Sequence, residues 1–320
     1  MSKVLVTGAA GFIGSHTVDL LLAEGHQVLG VDNFRTGNIR NLACALTKPG
    51  FQFAQVDFTE ALTMDRLIAV NQPDALIHLA AMVSVPESIA QPAENYRLNF
   101  LGTKLLAVAA KRHGVKRLVF ASSAAVYGDG LTIPIHEDSA CQPASPYGSA
   151  KLASELILLN QFADASFQIR VHRYFNVFGP RQDPHSTYSG VISKFAVALD
   201  SGTAVTIFGD GEQTRDFISV ADIARANLLA ATLPIVSSGI ANICTGREVS
   251  LNELYKVMGR LWGNSQMPSY APARAGDIRH SCGSSSRALE HLAFASKVTL
   301  EDGLLALKLS LAQPHESNVQ

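Results

Sequence analysis

The sequence predicts an α/β fold: a doubly wound parallel sheet, followed by a smaller α/β region toward the C-terminal end. Three observations predict it. Short β-branched runs alternate with stretches of helical apolar spacing through the first half of the chain. The runs are apolar almost throughout, as strands covered on both faces have to be. A glycine-rich turn follows the first of them directly.

In chain order, residues 4–7, 27–31, 51–56, 75–79, 117–121 and 168–173 are the strand candidates, and 15–23, 64–70, 93–112 and 147–162 carry the helical spacing between them. Gly114 stands where a helix C-terminus calls for glycine. Beyond about Tyr174 the texture changes, with Gly179-Pro180, Asp183-Pro184, Gly209-Asp210-Gly211, Pro268, Pro272 and Gly276 breaking the chain into short elements. Residues 218–233 read as a strand and helix that return to the first domain. The polar tail 313–320 is expected to fray.

The 320 residues are 47% hydrophobic and 17% charged, which excludes a disordered or fibrous chain and supplies a large core. Lysine and arginine number 26 against 27 acidic residues, so the net charge of -1 attracts neither nucleic acid nor an anionic membrane. An anionic ligand then has to be held by local groups. Cys44, Cys141, Cys244 and Cys282 form no CxxC, and the ten histidines show neither HxH nor HExxH spacing, so neither a disulfide framework nor a metal site is expected. No cleavable leader is evident and no apolar run nears the roughly 18 residues of a membrane helix; a reducing, cytoplasmic setting is the expectation.

Gly8, Gly11 and Gly14 form a GxxGxxG turn that opens a helix. A pyrophosphate is bound by bare backbone N–H groups at a helix N-terminus, where orphan donors and the helix dipole both favour negative charge. Asp32 ends the second strand, near the interval of about 20 residues at which a carboxylate bonds the ribose hydroxyls of a dinucleotide. A carboxylate there repels a 2′-phosphate, so NAD is expected rather than NADP. Arg35, just beyond, is either a solvated loop charge or a holder of that phosphate. Asp57 either accepts from the adenine amino group or is a strand-end turn aspartate.

Tyr147 and Lys151 sit at i and i+4 on the helix after Pro146, about 40° apart on one face, while Leu152, Leu156, Leu159 and Ala163 form a separate apolar stripe. The pair is therefore expected to lie off the packing face. A phenol with pKa near 10 is a poor base at neutral pH, and a fixed ammonium beside it favours the phenolate; Lys151 is expected to supply that charge. Strand 117–121 runs into Ser122, Ser123 and Tyr127-Gly128, at the carboxyl edge where open α/β sheets bind ligands. A hydroxyl there either relays a proton toward the phenolate or ends the strand by bonding backbone.

With these motifs, the run from Arg173 to Gly179, the segment Gly211 through Arg215-Asp216-Phe217, and Arg274-Ala275-Gly276-Asp277, the chain resembles the extended short-chain dehydrogenase/reductases, and among them the nucleotide-sugar 4-epimerases, from residue 4 to about residue 280. The resemblance implies a Rossmann domain over residues 1–173 and about 217–244, and a nucleotide-sugar-binding domain over 174–216 and 245–320. It implies Ser123, Tyr147 and Lys151 as the catalytic set. NAD is expected at Gly8, Gly11, Phe12, Ile13, Gly14, Asp32, Asn33, Asp57, Phe58, Leu79, Ala80, Ala81, Asn99, Tyr147 and Lys151, with Asn99 also shaping the catalytic helix. The UDP-sugar is expected at Ser84, Ser123, Asn176, Arg215, Arg274, Asp277 and Ser281. Two arginines give a diphosphate fixed donors without a metal, or else pair with Asp210, Asp216 or Asp277.

The implied reaction is NAD-dependent 4-epimerisation of a UDP-hexose through a 4-keto sugar. Ser281 stands where epimerases restricted to unmodified hexoses carry a bulky tyrosine, and residues 181–184 with Tyr188, Val191 and Ile192 resemble the branch that accepts N-acetylhexosamines. UDP-N-acetylglucosamine and UDP-N-acetylgalactosamine are thus the expected pair, with UDP-glucose and UDP-galactose second. The alternatives are a UDP-glucuronate 4-epimerase, with Arg181 meeting the carboxylate, or a dTDP/UDP-sugar 4,6-dehydratase. Ala124 and Ala125 stand where the dehydratases place an Asp-Glu pair, which counts against the latter. The same resemblance implies a homodimer through the helices around 93–112 and 147–162.

Overall fold

A computed structural model describes residues 1–183, 190–234, 237–273 and 278–312. Strands and helices alternate through β1 (Lys3–Thr7), α1 (Phe12–Ala23), β2 (Gln27–Asp32), α2 (Ala43–Leu46), β3 (Phe51–Gln55), α3 (Ala61–Asn71) and β4 (Ala75–His78). There follow α4 (Val85–Ala90), α5 (Pro92–Tyr96), α6 (Thr103–Arg112), β5 (Arg117–Ser123), α7 (Pro146–Ile157) and β6 (Gln168–Tyr174). The sheet order is β3-β2-β1-β4-β5-β6, all parallel, and a seventh strand, Gly239–Ile243, extends it beside β6. Strand order reverses between β1 and β4, which opens a crevice at the carboxyl edge.

The central strands β1, β4 and β5 are buried on both faces, the edge strand β3 is not, and side-chain alternation divides the buried residues between two cores. Val4, Val6, Ala75, Ile77 and Val119 face α1 and the helix Val220–Thr232, while Leu5, Leu76, Leu118 and Phe120 face α3 and α6. Each valine, leucine, isoleucine or phenylalanine among them, fully buried, contributes about 1.5–3 kcal/mol. Of residues 218–233, expected to return as a strand and a helix, the helix packs on the first core through Ile223, Ala226 and Ala230, whereas the strand Phe217–Ser219 pairs with Asn176–Phe178 outside the seven-stranded sheet. A third cluster joins Phe178, Ile192, Phe195, Ile207, Leu254 and Leu304 in the smaller α/β region.

One expected helix differs in detail, and one strand lies outside the expected set. The helix expected over 93–112 is α5 and α6 with a π-helical turn, Arg97–Gly102, between them. There the backbone widens and side chains take up carbonyls, as such turns allow. The strand Gly239–Ile243 is short and contains Gly239 and Asn242, so no apolar run announced it.

Candidate active site

Gly8 has φ +69°, and a Cβ there would lie 2.8 Å from the Ala80 nitrogen; at Gly14 it would lie 1.9 Å from the Gly8 carbonyl oxygen. The turn's own closure onto α1 and residue 80 therefore requires both glycines. Helix α1 starts from Gly11 with no side-chain cap and no acidic residue in its first turn. Its first N–H groups, at Phe12 and Ile13, have no intrahelical acceptor, which is the donor set a pyrophosphate takes, so the residues present fit a dinucleotide.

Asp32 is buried and accepts from the N–H groups of Ala10 at 2.9 Å and Phe34 at 2.7 Å; burial raises its carboxyl above the usual range despite these bonds. Asn33 donates to Asp57 at 3.1 Å, and Asp57 also accepts from the Thr59 N–H and hydroxyl at 2.9 and 2.7 Å. Burial works to raise the Asp57 carboxyl, but these donors outweigh it, and the geometry is that of a turn aspartate. Arg35 donates to Glu87 at 2.6 Å and lies 3.9 Å from Glu94, so its charge is matched on α4 and α5 and is not presented to a 2′-phosphate. Phe58 packs against His78 with ring centroids 5.0 Å apart, beside Ala80, Met82 and Leu98. Leu79 borders the first core, Ala80 donates to the Thr7 hydroxyl at 3.3 Å, and Ala81 is half-buried.

At the other side of the crevice, Ser145 caps α7 by accepting from the Gly148 N–H, and Pro146 occupies the first turn. A Cβ on Gly148 would lie 2.6 Å from the Ala125 carbonyl, so α7 sits tightly against the turn after β5. Contrary to the expectation from the leucine stripe, Tyr147 and Lys151 lie on the buried face, 9% and 3% exposed, with Ala150, Ser154 and Glu155. The leucines divide: Leu152 packs near Tyr127, Leu159 joins the second core, and Leu156 is exposed. A buried polar face is stable here because the end of β5 supplies partners. Lys151 Nζ donates to the Ala121 carbonyl at 2.8 Å.

The expected lowering of the Tyr147 phenol is not what the site shows. Burial raises it, with the neighbouring Ser123 hydroxyl opposing, and burial also brings the Lys151 ammonium down to about 7, with Glu155 opposing. For each group desolvation outweighs the opposing neighbour, Ser123 for the phenol and Glu155 for the ammonium. Ser123 itself accepts from the Ala125 N–H at 3.1 Å. Asn99 lies in the π-helical turn; its side chain bonds both backbone groups of Met82, each at 2.9 Å, and its carbonyl accepts from Ser154 of α7 at 2.7 Å. Ser84, expected at the substrate, caps α4 by accepting from the Glu87 N–H at 2.9 Å.

Toward the smaller region, a cavity of about 440 Å³ is lined by Asn176 and Arg215 together with Lys194, Phe208 and Gln213. Sequence reasoning missed the last three: Lys194 and Phe208 belong to no motif, and Gln213 lies within the segment 211–217 but was not singled out. Ser281 is 9% exposed and pairs with Arg215 across the strands His280–Ser281 and Thr214–Arg215. Arg181 is held by Asp19 of α1 at 2.7 Å. Asp210 pairs with Arg279, and Asp216 accepts from Thr245 and Gly246. Arg274 and Asp277 lie outside the described residues, as do Pro184 and Tyr188. Among the described residues no group of three or more His, Cys, Asp or Glu could hold a metal, and no helix is long and apolar enough to cross a membrane.

Residues 4–244 match the model of the NAD dependent epimerase/dehydratase family. The chain is 39% identical over 304 residues to a UDP-glucose 4-epimerase of Mycolicibacterium smegmatis, covering 94% of this chain and 96% of that one. Among solved structures it resembles the Thermotoga maritima UDP-glucose 4-epimerase with UDP-glucose, with a TM-score of 0.90 and 37% identity over 97% of this chain and 98% of that one. It also resembles the UDP-N-acetylglucosamine 4-epimerase of Methanobrevibacter ruminantium in complex with UDP-N-acetylmuramic acid, with a TM-score of 0.91 and 34% identity over the same shares.

Proposed function

The chain belongs to the NAD-dependent epimerase/dehydratase family, and we propose that this enzyme interconverts UDP-hexoses at C4, preferring the UDP-N-acetylglucosamine/UDP-N-acetylgalactosamine pair and taking UDP-glucose/UDP-galactose second. The observation that carries the reading is the burial of Tyr147 and Lys151 on one helix face, with Ser123 beside the phenol at the carboxyl edge of β5. Held by the glycine turn, the N-terminus of α1 and Asp32, NAD would supply a hydride acceptor and donor for C4 of the sugar. Tyr147, as phenolate, takes the proton of the 4-hydroxyl directly or through Ser123 and gives it back on the return. Lys151 balances the phenolate charge. Asn176 and Arg215 hold the nucleotide diphosphate while the hexose, less tightly held, turns over.

In this reading residues 1–173 and about 217–244 bind NAD, while 174–216 and 245–320 bind the nucleotide sugar. The small side chain of Ser281, next to Arg215, and the likeness to the M. ruminantium enzyme support room for an N-acetyl group. Arg181 is already paired with Asp19, which weakens the uronate alternative. A homodimer and a cytoplasmic setting complete the proposal: Tyr96, Leu101, Leu105 and Leu156 are exposed on the helices expected to pair, and all four cysteines are free thiols.

Proton NMR of the purified protein with UDP-glucose, UDP-N-acetylglucosamine or UDP-glucuronate, without added cofactor, tests this. The N-acetylated pair should equilibrate fastest. Turnover of the glucuronate alone would establish the alternative, and turnover of none would overturn the proposal.

A further inference from the structure

The steps above leave one buried acid of the crevice without a task. Glu155 is 1% exposed and stands one turn beyond Lys151 on the face that also carries Tyr147. Three consecutive residues at the end of β5 receive that face. The Ala121 carbonyl accepts from Lys151, the Ser122 hydroxyl donates to Glu155, and Ser123 stands beside Tyr147. Arg173, in register with Ser122 on β6, closes the other side with three hydrogen bonds to the Glu155 carboxylate, of 3.0, 3.2 and 2.6 Å. Its guanidinium lies 4.7 Å from the centre of the Tyr127 ring and donates to the Glu137 carbonyl at 3.1 Å. A buried ion pair adds little net stability, because desolvation consumes most of its attraction, so stability alone does not account for this one.

We propose that Glu155 is a positioning residue for the reaction: clamped between Ser122 and Arg173, it sets α7 against β5 and provides the negative charge that keeps the Lys151 ammonium in the buried site. The proposal rests on the reading of Tyr147 and Lys151 as the reacting pair. The ammonium faces Phe120 and Ala121 on β5, His78 on β4, and Tyr147 and Glu155 on its own helix, with Arg173 behind Glu155. Burial brings His78 down to about 3, so it stays neutral at working pH. Loss of the Glu155 charge lets Lys151 lose its proton at still lower pH.

The test compares Glu155→Gln, Glu155→Asp and Ser122→Ala with Tyr147→Phe, using UDP-glucose and UDP-N-acetylglucosamine as substrates. Glu155→Gln should lower kcat about tenfold or more with KM within about threefold, and the alkaline limb of kcat should move down by about one pH unit. In protein carrying 13C-labelled lysine, the Lys151 titration should move the same way. Glu155→Asp, which keeps the charge, should leave the limb in place and recover part of kcat; Ser122→Ala should lower kcat without moving the limb. Wild-type kcat and an unmoved limb in Glu155→Gln overturn the proposal. If that variant fails to fold, wild-type kcat in both Glu155→Asp and Ser122→Ala overturns it. An active Tyr147→Phe would remove the underlying reading instead, whereas an inactive one beside an unaffected Glu155→Gln removes only this proposal.

Discussion

The Lys151 ammonium stands 5.9 Å from the centre of the Tyr147 ring while it donates to the Ala121 carbonyl, so one buried cation serves both the phenol and the strand end. Each of these neighbours is desolvated, and the ammonium is strained toward neutrality as a result.

That strain has a sign in stability. The folded state lowers the lysine from 10.5 to about 7, so between those pH values the unfolded chain binds more protons and stability rises with pH. In Lys151→Met this slope should vanish. Its melting temperature at pH 7 should be no lower than that of the parent, while kcat falls by about 10²-fold or more. Thermal melts across pH check it, and a markedly lower melting temperature at pH 7 would refute it.

Tyr147→Phe should retain NAD and lose about 10²- to 10⁴-fold in kcat. Nucleotide released on denaturation, together with single-turnover kinetics, separates the two effects. Near-parental turnover would remove the phenol from the role of base.

Ser281→Tyr should abolish turnover of the N-acetylated pair and spare that of UDP-glucose, because added bulk beside Arg215 meets the acetyl group first. Parallel loss of both activities in the NMR assay would argue against a gate at this position.

Glu87→Gln combined with Glu94→Gln should free Arg35 and lower the dissociation constant for NADP by about three- to tenfold, with NAD still preferred because Asp32 remains. The NAD to NADP ratio in the nucleotide recovered from purified protein provides the readout, and an unchanged ratio would show that Arg35 does not reach the ribose.

Leu105→Glu combined with Leu156→Glu should convert a dimer to a monomer in sedimentation experiments, since both side chains are exposed, 43% and 54%, on the helices expected to pair. A dimer that survives both charges would move the interface elsewhere.

The sequence by itself determined the six alternating strands of the first half, the glycine turn before α1, and the presence of Ser123 at the end of β5 and of Tyr147 and Lys151 in the first turns of α7. These are local matters, because apolar periodicity and turn chemistry act over a few residues. Only the tertiary structure decided that α7 buries its polar face. Periodicity reports where apolar side chains go, but a buried lysine or glutamate depends on partners such as Ala121 and Arg173 that distant segments bring. The same holds for the strand Gly239–Ile243, whose place follows from its neighbour β6, and for Lys194 and Phe208, which meet Arg215 only in the folded cavity. The direction of the Tyr147 shift was likewise out of reach of spacing, since desolvation is a property of the packed interior.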